Sequence, residues 1–274
     1  MKNLRLARLL SLDWSQPQWR IVYYHDVPLA QRESFRAQLE WLGHLFHWVS
    51  IDEGLARLKA GDFQKPCATV TFDDADKTVF DVAMPVLNDL SIQGCVYVVP
   101  DYVDQQWTYR SPKPGPTMTW ENLREWRSAG HQVGSHTMTH ALMTDCIPER
   151  FRQEAEWSQR VLEEQMQEKI AHFAYPWGQF NADTHQHFAD LGCYQTVATT
   201  YRGRMLAGHD PLSLRRDRVG LGQTPEELEF SMRLCDRFYR FRKLRAWGRR
   251  NNQLGNPEWR ELLDDSGTAG GTQA

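Results

Sequence analysis

No stretch of the 274-residue chain approaches the roughly 20 consecutive apolar residues that a membrane-spanning helix needs, and mean hydropathy is −0.62. The five cysteines (Cys67, Cys95, Cys146, Cys193 and Cys235) are an odd number, and no CxxC pair occurs. That argues against a disulfide scaffold and for a reducing compartment. A surplus of charge of one sign is also missing: 32 Lys and Arg against 35 Asp and Glu leave a formal −3 and a pI near 6.4. A general nucleic-acid binder is ordinarily basic over its whole domain, so nucleic acid is not an expected partner. There is no internal repeat at a spacing of about 20 to 50 residues, which removes solenoids and propellers. The start of the chain is leucine-rich, but Arg5 and Arg8 interrupt the apolar run, Asp13 follows, and no small-x-small cleavage site is present. The expectation is a cytoplasmic protein without an export signal.

What the chain does contain is globular: 41% hydrophobic and 24% charged residues exclude wholesale disorder. The length suits one α/β domain with ragged ends. Eleven tryptophans are many for one chain; flat rings of this kind serve sugar clefts as well as cores. Short apolar runs alternate with helical patterns. Strands are predicted over 20–24, 48–51, 68–72, 95–99, 131–134, 171–175, 194–198 and 214–219. Helices are predicted over 33–46, 52–58 with Asp52 as cap, 78–90 with Pro85 forcing a bend or an early start, 120–129 capped by Thr119, 148–167 and 181–191. This β-then-α order implies a mostly parallel sheet with helices outside it, either an open sheet or a barrel.

Four polar clusters each follow a predicted strand: Tyr24-His25-Asp26, Thr71-Phe72-Asp73-Asp74, Ser135-His136-Thr137-Met138-Thr139-His140, and Phe173-Ala174-Tyr175-Pro176-Trp177-Gly178. In a parallel barrel the C-terminal strand ends meet at one mouth, so clusters far apart in sequence converge there. Asp73 and Asp74 are neighbours at a strand end and point different ways; a helix N-cap with acidic first-turn residues is the plain alternative. His136 and His140 are four apart, a spacing that on a helical turn puts both rings on one face; a solvated helix face is the plain alternative. With an aspartate from another strand end they make a three-ligand site with open positions, for which zinc is the usual ion. Tyr175 to Gly178 is either a simple turn or a loop that aims a backbone N–H at a developing oxyanion, with aromatic rings lining a sugar site. His25 is either a half-buried histidine held by Asp26 or a general acid.

Together the clusters resemble the polysaccharide deacetylase family, carbohydrate esterase family 4 with its NodB homology domain. Thr71-Phe72-Asp73-Asp74 matches the first motif, Ser135 to His140 the second, and Tyr175-Pro176-Trp177-Gly178 the tail of the third; the likeness covers roughly residues 20 to 220. The resemblance implies a single-domain α/β fold, a distorted (β/α)7 barrel. It implies Asp73 as general base, Asp74, His136 and His140 as ligands of one divalent metal (zinc first, then Ni, Co or Fe), and the Trp177 N–H as part of the oxyanion hole. Tyr175, Pro176, Trp177 and Trp107 are expected to line the substrate. Three departures stand out: Ala174 replaces the third motif's arginine, the fourth motif has no match, and Leu206-Ala-Gly-His209 is one residue too long for the fifth. They fit a branch acting on poly-N-acetylglucosamine, in which a strand-one Tyr-His-Asp supplies the acid histidine. Tyr24-His25-Asp26 matches that pattern, so His25 is preferred to His209.

Residues 231 to 250 carry eight basic side chains and one acid, +7 over twenty positions, with Leu234, Phe238, Phe241, Leu244 and Trp247 interleaved at helical spacing. This predicts a basic C-terminal helix, either packed on the domain or resting on the anionic inner membrane face. The expected organisation is an N-terminal segment over 1–18, the barrel over 19–222, the basic helix over 223–250 and a disordered tail over 251–274. The resulting expectation is a metal-dependent hydrolase that removes acetate from an N-acetylhexosamine of a bacterial exopolysaccharide or of its lipid-linked precursor. The alternative is an inactive carbohydrate-binding protein of the same fold.

Overall fold

A computed structural model describes residues 14–63, 65–104 and 115–235. The leucine-rich start, Trp107, most of the basic segment and the tail lie outside the described residues. The elements run β1 (Trp19–Tyr24), α1 (Arg32–Gly43), β2 (His47–Trp48), α2 (Ile51–Ala60), β3 (Cys67–Asp73), α3 (Met84–Asp89), β4 (Gly94–Val98), α4 (Trp120–Ser128), β5 (Gln132–Ser135), α5 (Pro148–Met166), β6 (His172–Ala174), α6 (Ala182–Leu191), β7 (Thr196–Ala198) and β8 (Asp217–Arg218). Residues 225–235 form a further helix.

The strands order as β7-β6-β5-β4-β3-β1-β8, with β2 on the start of β3. Every pairing between these strands is parallel. The edges meet through one short segment: Leu214 bridges to Ala198 of β7, and Asp217 and Arg218 pair with Val22 and Tyr23 of β1. Seven strands therefore close into the expected barrel.

Side chains alternate across each strand, and the two faces separate cleanly. Trp19, Ile21, Cys67, Cys95, Tyr97, Ala174, Ala198 and Leu214 fill the barrel interior. Val22, Tyr24, Val70, Phe72, Val96, Val98, Phe173 and Val197 face the helices, meeting Phe35, Leu39 and Leu42 of α1 and their counterparts. A Cβ on Gly134 would lie 2.6 Å from the Tyr97 ring, so only glycine lets β5 pass that inward ring. None of the five cysteines is in a disulfide. Among the described residues no helix is long and apolar enough to cross a membrane.

Local details depart from the sequence expectation at the second strand and its helix cap, while the bend or early start required by Pro85 is met. The predicted strand 48–51 is shortened to His47–Trp48, because Ser50 caps α2 by accepting from the Glu53 N–H at 3.1 Å. Asp52 is thus not the cap; it sits in the first turn, where it binds His172 and Gln132. Pro85 is accommodated by a π-helical turn, Val79–Ala83, that leads into α3 and places the proline at its start.

Candidate metal centre and active site

The inward parity of β3 carries Cys67, Thr69, Thr71 and then Asp73 to the mouth. Asp73 is buried and grips Arg216 two-pronged, with Nη1 donating to Oδ1 at 2.6 Å and Nη2 to Oδ2 at 2.9 Å. Arg216 is itself fully buried. Its Nε donates to the Thr199 carbonyl at 2.9 Å, and its guanidinium lies 4.5 Å from the Tyr23 ring centre and 5.4 Å from that of Tyr97. Burial alone would raise the Asp73 pKa; the charge of Arg216, then that of His136, outweighs it and holds the carboxyl below its ordinary range.

One residue on, the chain turns left-handed at Asp74 (φ 69°) and Ala75 (φ 53°), which swings the second carboxylate sideways. Its Oδ1 comes within 3.5 Å of His136 Nε2 and 3.3 Å of His140 Nε2. Ligand atoms of the three residues lie within 4.8 Å of one another, and all three residues are buried. Two strand ends meet here: His136 continues β5, its N–H donating to the Val98 carbonyl at 2.8 Å. His140 follows from an irregular loop. The His136–His140 pair is therefore not on a helical turn, as the spacing suggested. Thr137 (φ 65°) and His140 (φ 61°) are left-handed, and the loop folds the second ring back towards the first, 5.0 Å between centres. Glu154 of α5 braces this loop. Its Oε2 accepts from the N–H groups of Met138 and Thr139 at 3.0 Å each, and its Oε1 from the Thr139 hydroxyl at 2.7 Å.

The donor set fits a divalent cation. His136 Nδ1 lies 2.7 Å from the Ala174 carbonyl, an atom that only accepts, so Nδ1 carries the proton. Burial pushes the His136 pKa down to about 4, so near neutrality the ring is uncharged and its Nε2 lone pair faces Asp74. Burial would raise the Asp74 pKa, but the imidazoles of His140 and His136 hold it well below the carboxylate range. A carboxylate oxygen, Asp74 Oδ1, is thus buried without a hydrogen-bond partner among the described residues and faces ring nitrogens. A cation between them satisfies all of these atoms at once.

Aromatic rings wall this cluster. Trp177 lies edge-on to His140 at 5.5 Å and is 38% exposed, while Tyr102 stacks against the other side at 6.2 Å. Trp177 is also left-handed (φ 62°), and Gly178 behind it leaves no room for a Cβ, which would fall 2.1 Å from Thr200 Oγ1. Among the described residues, five of the eight non-glycine residues with positive φ are Asp74, Ala75, Thr137, His140 and Trp177. Backbone strain of this kind gathers where a site must be held open.

The expected substrate-lining set needs correction. Tyr175 is fully buried among Phe173, Phe180 and Phe188, because Ala174 faces the barrel interior and its neighbour must face the helices. Pro176 is buried too; Trp177 alone of the three presents its ring, and Trp107 lies outside the described residues. His25 is half-buried at the exit of β1, with its ring 5.7 Å from that of Tyr23, and is an electrostatic neighbour of both Asp73 and Asp74. His209 sits elsewhere. Its loop follows Met205, which pairs with Trp19 at the first residue of β1, and its Nε2 is 2.9 Å from the Ser213 carbonyl. Arg216 was not anticipated. Its signal is the alternation Leu214-Arg-Arg216-Asp-Arg218, which sets both arginines on the face of an interior leucine.

A parallel (β/α)7 barrel with carboxylates and imidazoles converging at one mouth has the layout of a hydrolytic enzyme. The family model for polysaccharide deacetylases matches residues 60–196, half of the chain, and the chain belongs to that family of hydrolases. It is 22% identical to a Staphylococcus aureus poly-beta-1,6-N-acetyl-D-glucosamine N-deacetylase over 158 residues, 56% of this chain and 54% of that one. Among solved structures, IcaB from Ammonifex degensii shares the fold at a TM-score of 0.69 and 22% identity, covering 80% of this chain and 98% of that one. The Streptococcus pyogenes deacetylase PplD in complex with acetate gives 0.67 and 24%, covering 79% and 99%.

Proposed function

We propose that the protein is a metal-dependent N-deacetylase that hydrolyses the acetamide of an N-acetylhexosamine unit in a bacterial glycan, with zinc held by Asp74, His136 and His140. The observation that carries this reading is the buried Asp74 Oδ1 set between two imidazole nitrogens. The named activity of the Staphylococcus aureus relative supports the substrate class. A bound divalent ion supplies positive charge that polarises an acetamide carbonyl and acidifies a water. Asp73 takes the proton of the attacking water; its charge, kept by Arg216, readies it as a base. The Trp177 N–H donates to the oxyanion as it develops. His25 gives its proton to the amine nitrogen as the C–N bond breaks, so acetate and a free amino sugar leave. Trp177 and Tyr102 keep bulk water from the reacting atoms.

The test is metal content together with acetate release from β-1,6-linked N-acetylglucosamine oligomers. Wild-type protein should hold about one equivalent of zinc; His136→Ala and His140→Ala should each lose both metal and activity. Full metal occupancy in both variants rejects the ligand set. Bound zinc without acetate release from any N-acetylated oligomer leaves a carbohydrate-binding protein. His25→Ala should keep the metal and lose turnover severely, whereas His209→Ala should keep the metal and lower turnover only mildly.

A further inference from the structure

Beside the proposed reaction centre lies a second recess whose residues, His25 apart, the chemistry above does not use. It has a volume of about 410 Å³ and is lined by Tyr24, His25, Asp26, Gln31, Arg202, Arg218 and the 219–223 turn. It opens between the exits of β1 and β8 and shares His25 with the centre. Arg218 reaches it by strand parity. Leu214, Arg216 and Arg218 climb one face of the closing segment, and where Arg216 serves Asp73, Arg218 stands one pair nearer the mouth. Arg218 is exposed and forms no ion pair among the described residues. Arg202 approaches from the other wall. Its Nη2 donates to Ser231 Oγ at 3.3 Å, and its Nε stands 3.6 Å from Asp217 Oδ1. Asp217 also pairs with Arg20 at 2.7 Å through its other oxygen, so one buried carboxylate is shared between two arginines. The one acid on the lining is Asp26, which is exposed, against two arginines, so the lining keeps a net positive charge.

We propose that this recess is an anion subsite that seats a phosphate ester on the amino sugar whose acetamide reaches the metal centre, with Arg218 as its principal contact and Arg202 opposite. The proposal rests on the deacetylase reading and narrows its substrate class. Two guanidinium forks across a recess of this size match a phosphate group and its linkage better than a neutral hydroxyl. A neutral oligosaccharide would leave Arg218 facing solvent.

The test uses the full chain stripped of metal, so that no ion can itself bind phosphate. N-acetylglucosamine 1-phosphate, a short-chain polyprenyl-pyrophosphoryl N-acetylglucosamine and the neutral methyl glycoside of N-acetylglucosamine are titrated calorimetrically. The phosphate-bearing sugars should bind about tenfold or more tighter than the glycoside, the scale of one charge-assisted contact. Arg218→Ala should erase most of that preference and Arg218→Lys should keep part of it. Equal loss for the 1-phosphate and the pyrophosphate assigns phosphate itself; loss confined to the pyrophosphate assigns the lipid-linked form. No preference in wild type, or a preference that survives in Arg218→Ala, overturns the subsite. Acetate release by metal-loaded wild type from neutral oligomers, measured in parallel, separates the two readings. Release without phosphate preference sinks the subsite alone; preference without release sinks the deacetylase and leaves the subsite.

Discussion

Asp73 and Arg216 meet across 143 positions of sequence, and each is buried on the other's account. Arg216→Met should leave a carboxylate buried without its partner and destabilise the fold by about 3–5 kcal/mol. Adding Asp73→Asn should recover most of that loss in a urea titration, with no recovery of turnover; strictly additive losses would show that the two do not act as a pair. Asp73→Asn alone should retain zinc and lower turnover by about 10² to 10⁴. Residue identities were legible where they sit in short local clusters, as Asp73-Asp74 and His136 to His140 do. Arg216 was illegible because its partner lies 143 positions away and no local motif marks the pair. Tyr175 was misplaced by one step of strand parity, which turns a side chain from the cleft into the core.

Strand and helix placement was largely legible, since periodicity and caps are local: Thr119 caps α4 with its own side chain, and Gly192 closes α6 at φ 59°. The loop from Thr137 to His140 was not, because its shape depends on Glu154 in a helix that comes later. Glu154→Ala should leave the helical signal of the chain intact and weaken zinc about 10- to 100-fold in a chelator competition. Unchanged zinc affinity would reduce Glu154 to a packing role. His131 sets the pH response of the turn into β5. Its Nδ1 accepts from the Gly94 N–H at 3.1 Å, its Nε2 stands 3.1 Å from Asn88 Oδ1, and its ring packs 4.2 Å from that of Trp126. Burial, helped by Arg127, pushes its pKa down to about 4 from an ordinary 6.5. Between those values the unfolded chain takes up a proton that the folded chain refuses. Stability should therefore fall as pH drops from 6.5 towards 4, by on the order of 3 kcal/mol from this residue, and change no further below. Urea titrations of wild type and His131→Gln across that range should converge as pH falls; parallel curves would show that His131 does not titrate with folding.

At the scale of the molecule, the barrel is held unevenly. β1 and β3 share six register pairs, whereas the closing segment makes one bridge to β7 and two pairs with β1. Opening should begin at the thinnest joints, this segment and the β5–β6 pair, which meets through Ser135 and Phe173 alone. On warming, the amides of Leu214 and Val219 should exchange with solvent before those of β3 and β4, and activity should fade several degrees before helical signal and bound zinc are lost. Simultaneous loss of all four would mean that the seam is as firm as the rest. Closure was foreseeable only from the likeness of the motifs, because alternation of strands and helices leaves an open sheet and a barrel equally allowed. The seam also sets an order in time. A ribosome delivers Asp74, His136 and His140 long before Arg216, so the three ligand residues exist in a nascent chain before Asp73 has the guanidinium that offsets its burial. Competence for catalysis waits for nearly the last strand to be made.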